Sequence, residues 1–124
     1  MYKIYFYKDR KGNYPVFDYI KKLKTKNDKD SRIKSSKIND YIQALSVYGT
    51  QIGEPYLKHL EGEIWELRPL RDRILFAAWI DNSFVLLHTF VKKLKKHQKQ
   101  KLKKLKRNYQ KSGKGGLNNG KRFT

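Results

Sequence analysis

The sequence predicts an α+β domain: an N-terminal strand, a two-helix hairpin, a three- to four-stranded, mostly antiparallel sheet and a basic C-terminal helix. Three observations carry that expectation. Apolar residues recur at helical spacing through residues 15–48, they recur at strand spacing through residues 56–91, and a lysine-rich stretch with sparse leucines begins at Lys92. At 124 residues the chain has room for one core. The domain is expected to span residues 1–111, with residues 112–124, rich in Gly, Ser and Asn, as a flexible basic tail.

The elements follow in order. Tyr2-Lys3-Ile4-Tyr5-Phe6-Tyr7 is aromatic and β-branched, which reads as a strand, and Lys11-Gly12-Asn13 closes it with turn residues. Pro15 suits the first turn of a helix, and Phe17, Ile20 and Leu23 give that helix one buried face before it ends near Lys24. A second helix starts at Asp28 or Asp30, either of which can accept from free backbone N–H groups. It runs through Ile33, Ile38, Tyr41, Ile42, Leu45 and Tyr48, with Gly49 as its terminating glycine. A short strand is expected from Tyr56 to Leu60. Next, Ile64-Trp65-Glu66-Leu67-Arg68 alternates, placing Ile64, Glu66 and Arg68 on one face and Trp65 and Leu67 on the other, and Pro69 ends it. Residues 73–80 and 84–91 form two further strands joined by the turn residues Asp81-Asn82-Ser83.

Composition narrows the function classes. Apolar residues at 38% and charged residues at 33% are inconsistent with a wholly disordered chain. The chain has no cysteine, and His59, His88 and His97 lack a zinc-binding spacing, so neither metal nor cofactor is expected. No apolar run approaches the roughly 18 residues that span a bilayer. The opening residues lack a signal peptide's apolar stretch, so a cytoplasmic protein without a membrane partner is expected. Charge is the strongest signal: 30 Lys+Arg against 11 Asp+Glu give +19. Residues 92–124 hold 14 basic residues and no acid, leaving 16 basic and 11 acidic residues for the rest. Self-repulsion in such a run is relieved when phosphates replace condensed counterions, so a nucleic acid or ribonucleoprotein is the expected partner. Lys92, Lys95, Lys96 and Lys99 are its expected contacts; a solvated basic helix serving only solubility is the bland alternative.

Three segments together resemble a known family: Tyr56-Leu57-Lys58-His59-Leu60-Glu61-Gly62-Glu63-Ile64-Trp65-Glu66-Leu67-Arg68-Pro69, then Arg71-Asp72-Arg73-Ile74-Leu75-Phe76, then Leu86-Leu87-His88-Thr89-Phe90-Val91-Lys92-Lys93. The combination resembles the HigB-type, phage-derived branch of the RelE/ParE toxin superfamily, over residues 1–107 in element order and about 55–95 in motif detail. The resemblance implies a RelE-like fold and the toxin of a type II toxin-antitoxin module. It implies a ribosome-dependent mRNA endonuclease, acting on mRNA in the ribosomal A site. It further implies neutralisation by a helix-turn-helix, HigA-like antitoxin, with which a heterotetramer could form.

Metal-independent RNA cleavage through the 2′-hydroxyl needs a proton acceptor, cations for the phosphorane and a proton donor for the leaving 5′-oxygen. Arg73 aligns with the family's catalytic arginine and is expected to clamp the phosphate, helped by Arg68; surface salt bridges to Glu66 or Asp72 are the alternative. Lys93 stands where the family places a second basic catalytic residue, with Lys92 as an equal-charge neighbour. Glu66 is expected either to take the 2′-proton or to orient Arg68. His88 has the chemistry of a general acid or base, but the alternation Phe84, Leu86, His88, Phe90 favours a core histidine. Lys58 and His59 are expected at the RNA backbone, and Phe90 either stacks on a base or packs in the core. Two departures from the family stand out. The stretch His97-Gln98-Lys99-Gln100 lies where relatives carry a tyrosine, with Tyr109 too far along to replace it, and Glu66 stands where some have lysine. Two other functions compete: a ParE-like gyrase inhibitor and a non-catalytic nucleic-acid- or ribosome-binding module.

Overall fold

A computed structural model describes residues 1–92, 104, 105, 107 and 121–123. Strand β1 (Lys3–Phe6) leads into helices α1 (Pro15–Thr25) and α2 (Lys29–Tyr48), and a 3-10 turn (Gly49–Ile52) follows. Four strands come next: β2 (Leu57–Glu61), β3 (Ile64–Leu67), β4 (Asp72–Trp79) and β5 (Ser83–Val91). A short strand β6 (Lys121–Phe123) lies within the stretch expected as a flexible tail and pairs antiparallel with β1. The sheet order is β2-β3-β4-β5-β1-β6. Its body is mixed: β2 through β5 form an antiparallel meander, while β1 runs parallel to β5, from Lys3↔Ser83 to Phe6↔Leu86. The long crossover between those two parallel strands contains the helix pair. Lys104, Leu105 and Arg107 are helical, and the rest of the expected basic helix lies outside the described residues.

Local chemistry sets the element ends. Pro15 occupies the first turn of α1, and the Asp18 carboxylate accepts from the Tyr14 N–H at 3.1 Å. Asp28 caps α2, accepting from the Ser31 N–H at 2.9 Å and the Ser31 hydroxyl at 2.8 Å. Those two bonds hold its carboxyl below the usual carboxylate range. Gly49 ends α2 at φ 64°, a conformation that costs an L side chain energy, and a Cβ there would meet the Tyr2 ring at 2.7 Å. Asp81 and Asn82 both take positive φ in the three-residue loop 80–82 between β4 and β5, a conformation that Asp and Asn tolerate better than other side chains.

Both sheet faces are packed. On the helix side, Ile4, Phe6, Leu57, Leu67, Ile74, Phe76, Phe84 and Leu86 meet Val16, Leu23, Ile38, Ile42 and Leu45. Each of these large side chains contributes roughly 1.5–3 kcal/mol by leaving water. On the other side a smaller cluster of Ile64, Leu75, Ala77, Val85 and Leu87 is flanked by Tyr5, Trp79 and Phe90 and touched by Leu105. Among the described residues no helix is long and apolar enough to cross a membrane.

Candidate functional site

Strand alternation and one irregularity build a charged site on the face away from the helices. Ile64, Glu66 and Arg68 share that face on and beyond β3, as their spacing predicts. Lys58 lies opposite Glu66 across the β2–β3 pair, and Glu66 lies opposite Leu75 on β4, so Lys58 and Arg73 flank it on either side. On β5 the register slips. Leu75 faces His88 but Phe76 faces Leu86, which leaves Leu87 as an extra residue. The bulge reverses the alternation beyond Leu87 and brings His88 and Phe90 to the Arg73 side, Phe90 lying directly opposite Arg73. Their rings stack at 6.4 Å between centroids, and both are half-buried. His88 therefore does not sit in the helix-side core that uninterrupted alternation favours. Phe90 packs against the smaller cluster and is half-buried.

A buried carboxylate is the centre of the site. Glu66 is 5% exposed, and its Oε1 lies 3.3 Å from Arg68 Nε and 3.8 Å from Arg73 Nε. Burial pushes its carboxyl above the ordinary value, and Arg68, Arg73, Lys58 and Lys92 act in the opposite direction without cancelling that rise. Arg73 is 7% exposed. Its Nη1 donates to the Leu70 and Asp72 carbonyls, each at 2.8 Å, so its guanidinium is a fixed charge rather than a mobile arm. Burial and the Arg68 charge lower its pKa, while Glu66 and Asp72 oppose the shift. Its ion pair with Glu66 is buried, unlike the surface salt bridge that was its alternative. Arg68 is more open, with 27% of its side chain exposed, and its buried Nε has no hydrogen-bond partner despite its closeness to Glu66.

Lys92 is exposed directly after β5, and its N–H donates to the Arg71 carbonyl at 2.8 Å, continuing the strand ladder beside the Arg68–Arg73 turn. The structure thus gathers Lys58, Glu66, Arg68, Arg73, His88, Phe90 and Lys92 on one face. It does not bring His59 there. That ring points to the opposite face against Trp65 at 4.8 Å, and its Nε2–H donates to the Gly62 carbonyl at 2.7 Å. Lys93, Lys95, Lys96 and Lys99 lie outside the described residues, as do the His97–Gln100 stretch and Tyr109.

Sequence reasoning missed a second polar cluster behind the site. Asp72 is fully buried on the helix side of β4, where it accepts from the Tyr19 hydroxyl at 2.7 Å and pairs with Lys34 at 3.8 Å. The one available signal was an acid at the start of an otherwise mostly apolar strand; the partners lie on helices far away in sequence. Such a face, with cations set around one carboxylate and an aromatic pair beside them, can bind and polarise a phosphodiester. Residues 18–110, most of the chain, match the family model described as phage derived protein Gp49-like (DUF891). No curated protein matches the chain.

Proposed function

Because the chain belongs to the Gp49-like family of phage-derived proteins, a RelE/toxin-like family, we propose that it is the toxin of a type II toxin-antitoxin system and cleaves mRNA in the ribosomal A site. What supports this reading is the gathering of Lys58, Arg68, Arg73 and Lys92 around Glu66 on one sheet face, with His88 beside them. Arg73 supplies a fixed positive charge and Arg68 a more mobile fork, so that together they hold the scissile phosphate. Glu66 orients both guanidiniums until the phosphate joins them. His88 takes the 2′-proton, the 2′-oxygen attacks phosphorus, and the bond to the 5′-oxygen breaks. The products are a 2′,3′-cyclic phosphate and a 5′-hydroxyl, whose proton comes from the Lys93 ammonium, with Lys92 as its equal-charge neighbour. An acidic or amphipathic segment of a helix-turn-helix antitoxin, covering the cationic face, silences the enzyme.

Induction of the wild-type chain in bacteria, with transcript ends mapped by primer extension, tests the proposal. Growth arrest and new 5′ ends within translated codons are expected, and both should be lost in a folded Arg68→Ala/Lys92→Ala double variant. Intact transcripts together with inhibited gyrase supercoiling would contradict it, as would full activity in the double variant.

A further inference from the structure

The fully buried Asp72 carboxylate takes no part in the proposed chemistry, and its Oδ2 has no hydrogen-bond partner. A carboxylate so placed is costly to a small core, and one hydroxyl with a distant ammonium compensates it only partly. Its position gives it a use. The Asp72 backbone closes the turn after β3, with its N–H donating to the Pro69 carbonyl at 3.0 Å. The Leu70 and Asp72 carbonyls of that turn both accept from Arg73 Nη1 on the other sheet face, and Leu70 holds its carbonyl there at φ 57°. The Asp72 side chain ties the same turn to both helices, to Tyr19 of α1 and to Lys34 of α2. Lys34 Nζ in addition donates to the Tyr19 oxygen at 3.5 Å, closing the cluster.

We propose that Tyr19 and Lys34 are positioning residues for Arg73: acting through Asp72, the helix hairpin fixes the two carbonyls that hold the guanidinium on the far side of the sheet. This rests on the phosphate-binding role given to Arg73 above. Burial and the neighbouring Asp72 carboxylate push the Tyr19 hydroxyl well above its ordinary range, so it remains a donor at every working pH. Tyr19→Phe removes one oxygen and leaves the ring in place, which allows the turn to shift without emptying the core.

Two readouts on the full-length chain test the inference. In protein labelled with nitrogen-15 arginine, the Arg73 Nη1–H protons bonded to the two carbonyls should exchange with solvent about tenfold faster in Tyr19→Phe than in wild type, without any RNA present. In transcript cleavage on programmed ribosomes, the same variant should lose kcat about tenfold with KM unchanged, since misplacing a preorganised charge affects the transition state. If Tyr19→Phe does not fold, Lys34→Met at the rim of the cluster takes its place, with the same two expectations. An unchanged Arg73 exchange rate in a folded variant would overturn the positioning role, whatever the activity. A faster rate in a protein whose wild type cuts no transcript would uphold the positioning role and overturn the RNA-cleaving one.

Discussion

Glu66 and Arg73 govern the site at the scale of single residues. The folded pKa of Glu66 is raised above its ordinary 4.5, so between that value and the folded one the native state binds more protons than the unfolded chain. Its contribution to stability therefore falls as pH rises through that window, and the penalty is complete above the folded value. Glu66→Gln should flatten this part of the profile, which urea denaturation at a series of pH values from 4 to 7 would show as a smaller difference between acid and neutral midpoints. The capping carboxylate of Asp28 has the opposite sign, since its pKa is lowered, and it is unaffected by that substitution. Arg73→Ala strands Glu66 and leaves the Leu70 and Asp72 carbonyls without their shared donor, so we expect a loss of about 3 kcal/mol in denaturant stability. Arg73→Lys keeps the charge but cannot span both carbonyls and Glu66, and should lose less stability and most activity. Glu66 is legible in the sequence as a partner for Arg73, but as a surface pair, because its depth depends on packing across the sheet. Asp72 is legible beside it and instead turns to the helices, where its Tyr19 and Lys34 partners could not be read because nothing local joins residues on α1 and α2 to β4.

Among the elements, the helix ends read well from sequence because capping is local chemistry: Pro15, Asp28 and Gly49 each sit where their backbone or side-chain preference places them. Gly49→Ala should cost roughly 1–3 kcal/mol from a backbone conformation essentially reserved for glycine, with a further loss if the Tyr2 ring cannot move, measurable as a lower Tm. The β5 bulge did not read. Residues 84–91 show no Gly or Pro at Leu87 to mark it, and strict alternation puts His88 with Phe84 and Leu86. The slip arises in pairing with β4, where the register that buries Phe76 against Phe84, at 5.5 Å between ring centroids, differs from the one that seats Phe90 opposite Arg73. One extra residue satisfies both. Deleting Leu87 would turn His88 and Phe90 toward the helices, and the variant should lose both transcript cleavage and cooperative unfolding.

Over the whole molecule, the charge of +19 favours contact with polyanions. Binding to single-stranded RNA should weaken steeply with salt, and each of Lys58→Ala and Lys92→Ala should reduce the slope of log affinity against log salt by about 0.7. Residues 95–124 hold 12 of the 30 basic residues and no acid, so a chain ending at residue 94 should bind RNA more weakly. The role of the 2′-hydroxyl is tested most directly in the substrate. An mRNA carrying a single 2′-deoxynucleotide at the mapped cleavage position, presented in the ribosomal A site, removes the attacking hydroxyl and leaves every phosphate that the cationic face could grip. This mRNA should be bound but remain whole while its all-ribose counterpart is cut; cleavage of both at the same rate would rule out attack by the 2′-hydroxyl.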